Sequence, residues 1–113
     1  MTAAEYLDLL RSRREIQSRF IRRTQDFDLW LMPTVPQVAP QLESVATDTA
    51  YFAANRLMLR NPSLVNFLDG CAISIPCQDQ GNLPVGVSLA AASGMDRQLL
   101  AAAARLEAVI TSM

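Results

Sequence analysis

Lysine and histidine are both missing from this 113-residue sequence; all ten of its basic residues are arginine. Without histidine, the chain contains no Ser-His-Asp or Cys-His relay, no imidazole acid or base and no His-ligated metal. Without lysine it has no Schiff-base amine and no Ser-Lys dyad. If the chain belongs to an enzyme, most of the usual catalytic parts must come from elsewhere, and no metal-ligand set and no cofactor is expected. Thr2 as an N-terminal nucleophile after loss of Met1 is the one alternative, against its reading as a helix cap. Glycine is also sparse, at four residues. Long apolar runs are absent too. Charges interrupt the N-terminal stretch MTAAEYLDLLRSRREIQSRFIRR before it reaches signal-peptide length, and nothing approaches the roughly 20 apolar residues of a membrane span. The expectation is a cytoplasmic protein with no membrane partner. Cys71 and Cys77 would stand roughly 20 Å apart along one extended strand, beyond disulfide reach. They read as two buried apolar thiols.

What is present suits a core. Half of the residues are hydrophobic and the formal net charge is −1, which argues against disorder and against whole-chain attraction to nucleic acid. The length fits one domain, residues 1–113.

Residues 2–24 read as a helix opened by a Thr2/Glu5 capping box. Tyr6, Leu9, Leu10, Ile16, Phe20 and Ile21 share a stripe at 100° per residue. The pairs Asp8–Arg11, Glu15–Arg11 and Glu15–Arg19 have ion-pair spacing. Arg13 alone projects into the apolar stripe, where it must snorkel or find a partner elsewhere in the fold. The arginines spread around the helix without aromatics, as a solvated face would, and no nucleic-acid footprint results.

Leu29 to Met32 form a short strand stopped by Pro33, and PTVPQVAP cannot be helical. A weak helical pattern runs from about Thr47 to Leu59. Asn61-Pro62 then reads as an N-cap followed by proline at the first helical position, opening a short helix that closes at Gly70. An arginine at such a terminus, Arg60, could hold a substrate carboxylate; a plain cap with a surface charge is the competing reading.

Two charge-free strands follow. CAISIPC puts Cys71, Ile73, Ile75 and Cys77 on a bulky face and Ala72 and Ser74 on a small one. LPVGVSLAA puts Leu83, Val85, Val87 and Leu89 on a bulky face and Gly86, Ser88 and Ala90 on a small one. The short QDQGN loop makes them a hairpin. With no charge on either face, the sheet is expected to be buried on both sides. A last helix starts near Asp96 as N-cap, with Leu99, Leu100, Ala103, Leu106, Val109 and Ile110 as its stripe. The class is α/β: a partial mixed sheet of about three strands between N- and C-terminal helices. These helices cannot cover both faces, so a homo-oligomer or a further polypeptide segment is the expected partner.

Four stretches carry a family resemblance. Asp28-Leu-Trp-Leu-Met-Pro-Thr-Val-Pro with Ala39-Pro40, Asn66-Phe-Leu-Asp-Gly-Cys-Ala-Ile-Ser-Ile-Pro-Cys, Gly81-Asn-Leu-Pro-Val-Gly-Val-Ser-Leu, and Asp96 with Leu99-Leu100 and Leu106-Glu107 resemble, in order and spacing, the C-terminal part of the amidase-signature family of amide hydrolases. Asp69-Gly70-Cys71, where many members carry Gly-x-Pro, is more similar to the branch of carboxybiuret and allophanate hydrolases than to the amidase-like subunits of tRNA-dependent amidotransferases. The resemblance implies a hydrolase of non-peptide C–N bonds acting on a small amide. It also implies a Ser-Ser-Lys triad that lies upstream of everything matched here, so that no catalytic residue carries over. What does carry over is a role as sheet scaffold and cleft wall, with Arg60, Asn61 and Asn66 near the substrate edge. The missing partner then becomes the N-terminal amidase segment, and the chain is expected to be inactive alone. A non-enzymatic module that self-associates or complements another chain is the alternative.

Overall fold

The structure is a computed structural model that describes residues 1–112. The α/β class, the three strands and the hairpin are as the sequence reading expected. Every strand pair is antiparallel, however, so the described sheet is not mixed.

The first helix, α1 (Ala3–Thr24), opens with the expected capping box: Glu5 N donates to Thr2 Oγ1 at 3.3 Å and Thr2 N to a Glu5 carboxylate oxygen at 2.6 Å. Its inward line is Leu10, Arg13, Gln17, Phe20 and Thr24, all half-buried. This is the 3-4-3-4 spacing of one helix face, turned away from the expected stripe. Tyr6, Leu9, Ile16 and Ile21 remain exposed. Of the three ion pairs expected, Asp8–Arg11 forms at 3.1 Å and is the one salt bridge among the described residues.

Strand β1 (Trp30–Pro33) follows, one residue later than expected. The next helix corrects the sequence reading. A single helix, α2 (Asp48–Leu68), runs straight through Asn61-Pro62, capped at its start by Thr47, whose Oγ1 accepts from Ala50 N at 3.3 Å. Asn61 is therefore no N-cap, and Arg60 stands at no helix terminus. Proline inside a helix costs about 3 kcal/mol through its missing donor and ring clash. Here the pattern on both sides of Pro62 sustains the helix, and beyond it Val65 and Leu68 are buried. At the far end Asp69 adopts a left-handed conformation (φ 59°) and its N–H returns to the Asn66 carbonyl at 3.3 Å. Gly70 serves close packing instead: a Cβ there would lie 2.7 Å from the Ala91 carbonyl oxygen.

Strands β2 (Cys71–Pro76) and β3 (Gly86–Ala91) form the hairpin, and the sheet order is β1-β3-β2. β3 is shorter than expected, since residues 83–85 lie outside the strand and Leu83 and Val85 are exposed. Pro84, with no N–H to give a ladder, sits at that end. Cys77 is exposed and Cys71 half-buried, so the expected pair of buried thiols is not found.

The closing helix α3 (Asp96–Thr111) has Met95 at its N-cap, and Asp96 falls in its first turn. There its carboxylate still favours the positive end of the helix dipole. α3 lies under β2 and β3. Leu99 and Ala103 join Ile75, Leu89 and Ala91 in the core, with Ile73, Val87, Leu106 and Ile110 around them.

The core is small and the outline flat, 52 × 42 × 18 Å. The radius of gyration is 17.3 Å, against about 13 Å for a compact domain of this length. Accessible surface reaches 8758 Å², where a self-contained monomer of this mass would expose about 6,100 Å². Only the central strand meets the expectation of burial on both faces. Ser88, Leu89, Ala90 and Ala91 are buried, while Ala72 and Ser74 on β2 and Leu31 on β1 are exposed. No described helix is long and apolar enough to cross a membrane.

Candidate functional site

The small face of the sheet, on the side away from α3, carries a cluster of uncharged polar side chains. Met32, Ser88 and Ser74 are register partners across the three strands. Thr34, just past β1, donates its N–H to the Gly86 carbonyl at 2.8 Å. That bond swings the Thr34 hydroxyl between the two serines, 2.5 Å from Ser74 Oγ and 3.0 Å from Ser88 Oγ. Gly86 makes the arrangement possible. A Cβ at that position would fall 2.6 Å from Ser74 Oγ and 2.8 Å from Thr34 Oγ1, closer than any stable contact.

These hydroxyls open into a cavity of about 280 Å³ closed on its helical side by Pro62, Val65 and Asn66. Three hydroxyls joined by two hydrogen bonds leave donor and acceptor capacity unused. The Asn66 carboxamide makes no hydrogen bond to another described residue, so it adds a free donor and acceptor to the opposite wall. The lining carries no charge. It can hold a neutral polar group by hydrogen bonds, but it cannot activate a serine, since no lysine, histidine or carboxylate lines it.

The three residues expected at the substrate edge are only partly brought together. Asn66 lines this cavity. Asn61 does not, because its Nδ2 donates to the Pro33 carbonyl at 2.7 Å and its Oδ1 accepts from Arg60 Nε at 3.2 Å. It bolts α2 to the end of β1. Arg60 faces a separate, largely apolar hollow of about 740 Å³ with Thr49, Phe52, Ala53, Arg56 and Leu57.

Arg13 resolves as a partner to backbone. Its Nε donates to the Phe67 carbonyl and its Nη2 to the Asn66 carbonyl, both at 3.0 Å, and Gln17 Nε2 adds a bond to the Phe67 carbonyl at 2.8 Å. The last carbonyls of a helix have no partner within it and concentrate the negative end of its dipole. A planar guanidinium from α1 thus caps α2 and lies 5.7 Å from the Phe67 ring centroid. The cap fixes the backbone of Asn66, hence one wall of the cavity.

Residue spacing alone concealed the hydroxyl cluster, because Thr34 and Ser74 are forty residues apart. The small faces of the two strands were its visible trace.

The amidase family model matches residues 1–100. The chain belongs to the amidase family. Relatives of this amidase chain include 2-amino-5-chloromuconic acid deaminase of Comamonas testosteroni, 33% identical over 90 residues, which are 79% of this chain and 20% of that protein. Another relative, from Syntrophomonas wolfei, is one of the subunits of Glutamyl-tRNA(Gln) amidotransferase. It is 38% identical over 104 residues, or 92% of this chain and 21% of that protein. Among solved structures, a serine-to-alanine variant of Kluyveromyces lactis allophanate hydrolase superposes with a TM-score of 0.71 at 27% identity, over 91% of this chain and 16% of that one. The chain thus spans about a fifth of the length of the curated relatives it matches.

Proposed function

We propose that this chain is the sheet scaffold and cleft wall of an amidase-like hydrolase of non-peptide C–N bonds, and that it does not turn over substrate alone. The observation that carries the reading is the uncharged cavity walled by Thr34, Ser74, Ser88 and Asn66. It offers hydrogen bonds suited to a neutral carboxamide or ureido group and contains nothing able to activate a nucleophile. The sequence adds that no lysine is present to complete a Ser-Ser-Lys triad. In this reading the partner is the segment of an amidase domain that bears the triad, the substrate is a small amide, and the setting is the cytoplasm. Asn66 contacts the substrate, while Asn61 holds the wall in place and Arg60 stands outside it. No resident cofactor is invoked.

The test is an assay of the purified chain against simple amides and short ureido acids, alone and mixed with a triad-bearing amidase segment. No turnover is expected alone, with activity appearing on mixing and falling at least tenfold when Asn66→Ala removes the carboxamide contact. Turnover by the chain alone that survives rigorous purification defeats the reading.

A further inference from the structure

The hydroxyl chain on the cavity floor has few hydrogens to share. Thr34 Oγ1 stands between Ser74 Oγ and Ser88 Oγ, at 2.5 and 3.0 Å. Each hydroxyl brings one hydrogen and two lone pairs. The two bonds within the chain consume two of the three hydrogens, and Thr34 cannot donate in both directions. Whichever way the bonds run, one O–H is left to donate, while two of the three hydroxyls have their hydrogen committed and can only accept. Ser88 is buried, and Thr34 is the one described partner of its hydroxyl. A buried polar group with spare capacity calls for a further partner, and here that partner must bring donors.

The opposite wall has the other polarity to offer. The Asn66 carboxamide, bonded to no other described residue, presents two N–H donors. No charged side chain lines the space, so nothing there offsets the desolvation of a carboxylate. The complementary ligand is neutral, with N–H groups toward the hydroxyls and a carbonyl toward Asn66.

We propose that the Ser74–Thr34–Ser88 chain reads the N–H groups of the substrate, selecting a primary carboxamide or urea over an N,N-dialkyl amide, and that Thr34 is the specificity-determining residue. The inference rests on the reading of this cavity as a substrate wall. Thr34 decides because it occupies the middle of the chain. It ties up hydrogens that the serines would otherwise be free to aim at a ligand. A hydroxyl without a partner rotates to donate or to accept as the ligand requires, whereas a committed one discriminates. Valine at this position keeps the shape of threonine and the main-chain bond to Gly86, yet releases both serine hydroxyls. The floor then serves a carbonyl as readily as an N–H, and the preference disappears.

Titration of the purified chain with acetamide and with N,N-dimethylacetamide tests it, followed by the backbone amide NMR signals of Thr34, Asn66 and Ser88. The two probes share a neutral acetyl group and differ in their N–H donors. Acetamide is expected to bind with an affinity on the order of millimolar, about tenfold more tightly than the dimethyl compound, which lacks both donors. Thr34→Val should reduce that ratio to about twofold or less, and Thr34→Ser should keep it. A preference set by size alone would survive the valine change. Equal binding of the two probes by the wild-type chain, no binding of acetamide at hundreds of millimolar, or an unchanged ratio in Thr34→Val overturns the proposal. Should the valine variant fold poorly, the wild-type ratio and Thr34→Ser decide, since loss of the preference with the hydroxyl still present would overturn it too. These titrations need no turnover. Activity on mixing with a triad-bearing segment, without amide selectivity, leaves the scaffold reading standing and defeats this inference; selectivity without activity does the reverse.

Discussion

The two faces of the sheet are held by different physics. Toward α3, Ile75, Leu89, Ala91, Leu99 and Ala103 form an apolar core without a polar side chain in it. Toward α1 and α2, apolar packing at Val65, Leu68, Ala90 and the Phe20–Trp30 ring pair is joined by polar contacts: the hydroxyl cluster, the Asn61 bond to Pro33 and the Arg13 cap on α2. The first face owes its stability to area removed from water, which is non-directional and tolerant of small shifts. The second adds to its apolar packing a set of hydrogen bonds of fixed geometry around a cavity, each contributing about 1 kcal/mol net. One face holds the chain together, and the other holds a shape.

That contrast is sharpest where a deletion strikes the core. Leu99→Ala removes a side chain only 3% exposed and should cost about 3 kcal/mol, read as a lower denaturant midpoint in chemical unfolding. A cost under about 1 kcal/mol would show that α3 is loosely held and that the comparison is wrong. Next comes Gly86→Ala, which inserts a methyl 2.6 Å from Ser74 Oγ. It should cost about 2 kcal/mol by overpacking. Adding Ser74→Gly, which removes the opposing hydroxyl, should recover part of that loss. Equal costs with and without the second change would mean that the strain is not at the hydroxyl cluster.

Arg13 is a subtler probe. Arg13→Met keeps much of the packing length but leaves the Asn66 and Phe67 carbonyls with fewer donors, and should cost about 1 kcal/mol. Arg13→Lys should recover little of this, because a single ammonium cannot reproduce a planar fork spanning two carbonyls. Full recovery by lysine in thermal unfolding would reduce the cap to charge alone, acting on the dipole of α2.

The apolar face was legible in the sequence, and the polar face was only outlined. Period-two alternation in CAISIPC and the stripe through Leu99, Ala103 and Leu106 are local signals, and both led to the core. The capping box at Thr2 and Glu5 is equally local. What failed was punctuation. Asn61-Pro62 has the chemistry of a helix start, yet whether a proline opens a helix or is carried inside one depends on packing beyond it, here at Val65 and Leu68. The α1 stripe failed for a related reason. A hydrophobicity pattern assigns the inward face to apolar residues, whereas this helix turns Arg13 and Gln17 inward to satisfy carbonyls on α2. Arg13 was conspicuous in the sequence as the one charge on the wrong side; its partners, more than fifty residues away, were not. The hydroxyl cluster needed the β1-β3-β2 order to assemble, and no short-range pattern encodes strand order.

The smallest expected effect cuts deepest into the contrast between a face that is filled and one that is still open. Leu31 lies in register with Leu89 and Ile73, on the face that α3 covers, yet it is 63% exposed because α3 packs mainly against β2 and β3. Leu31→Ser should therefore change the stability of the chain by less than about 0.5 kcal/mol. A triad-bearing segment that docks beside β1 would cover that leucine, and the same change should then weaken docking by about 1.5 kcal/mol or more, the value of an apolar side chain taken out of water. Paired measurements, unfolding of the chain and titration with the segment, separate the two. A large cost in the chain alone would mean that the apolar face already extends over β1, and an equal, negligible cost in both would place the docking segment elsewhere.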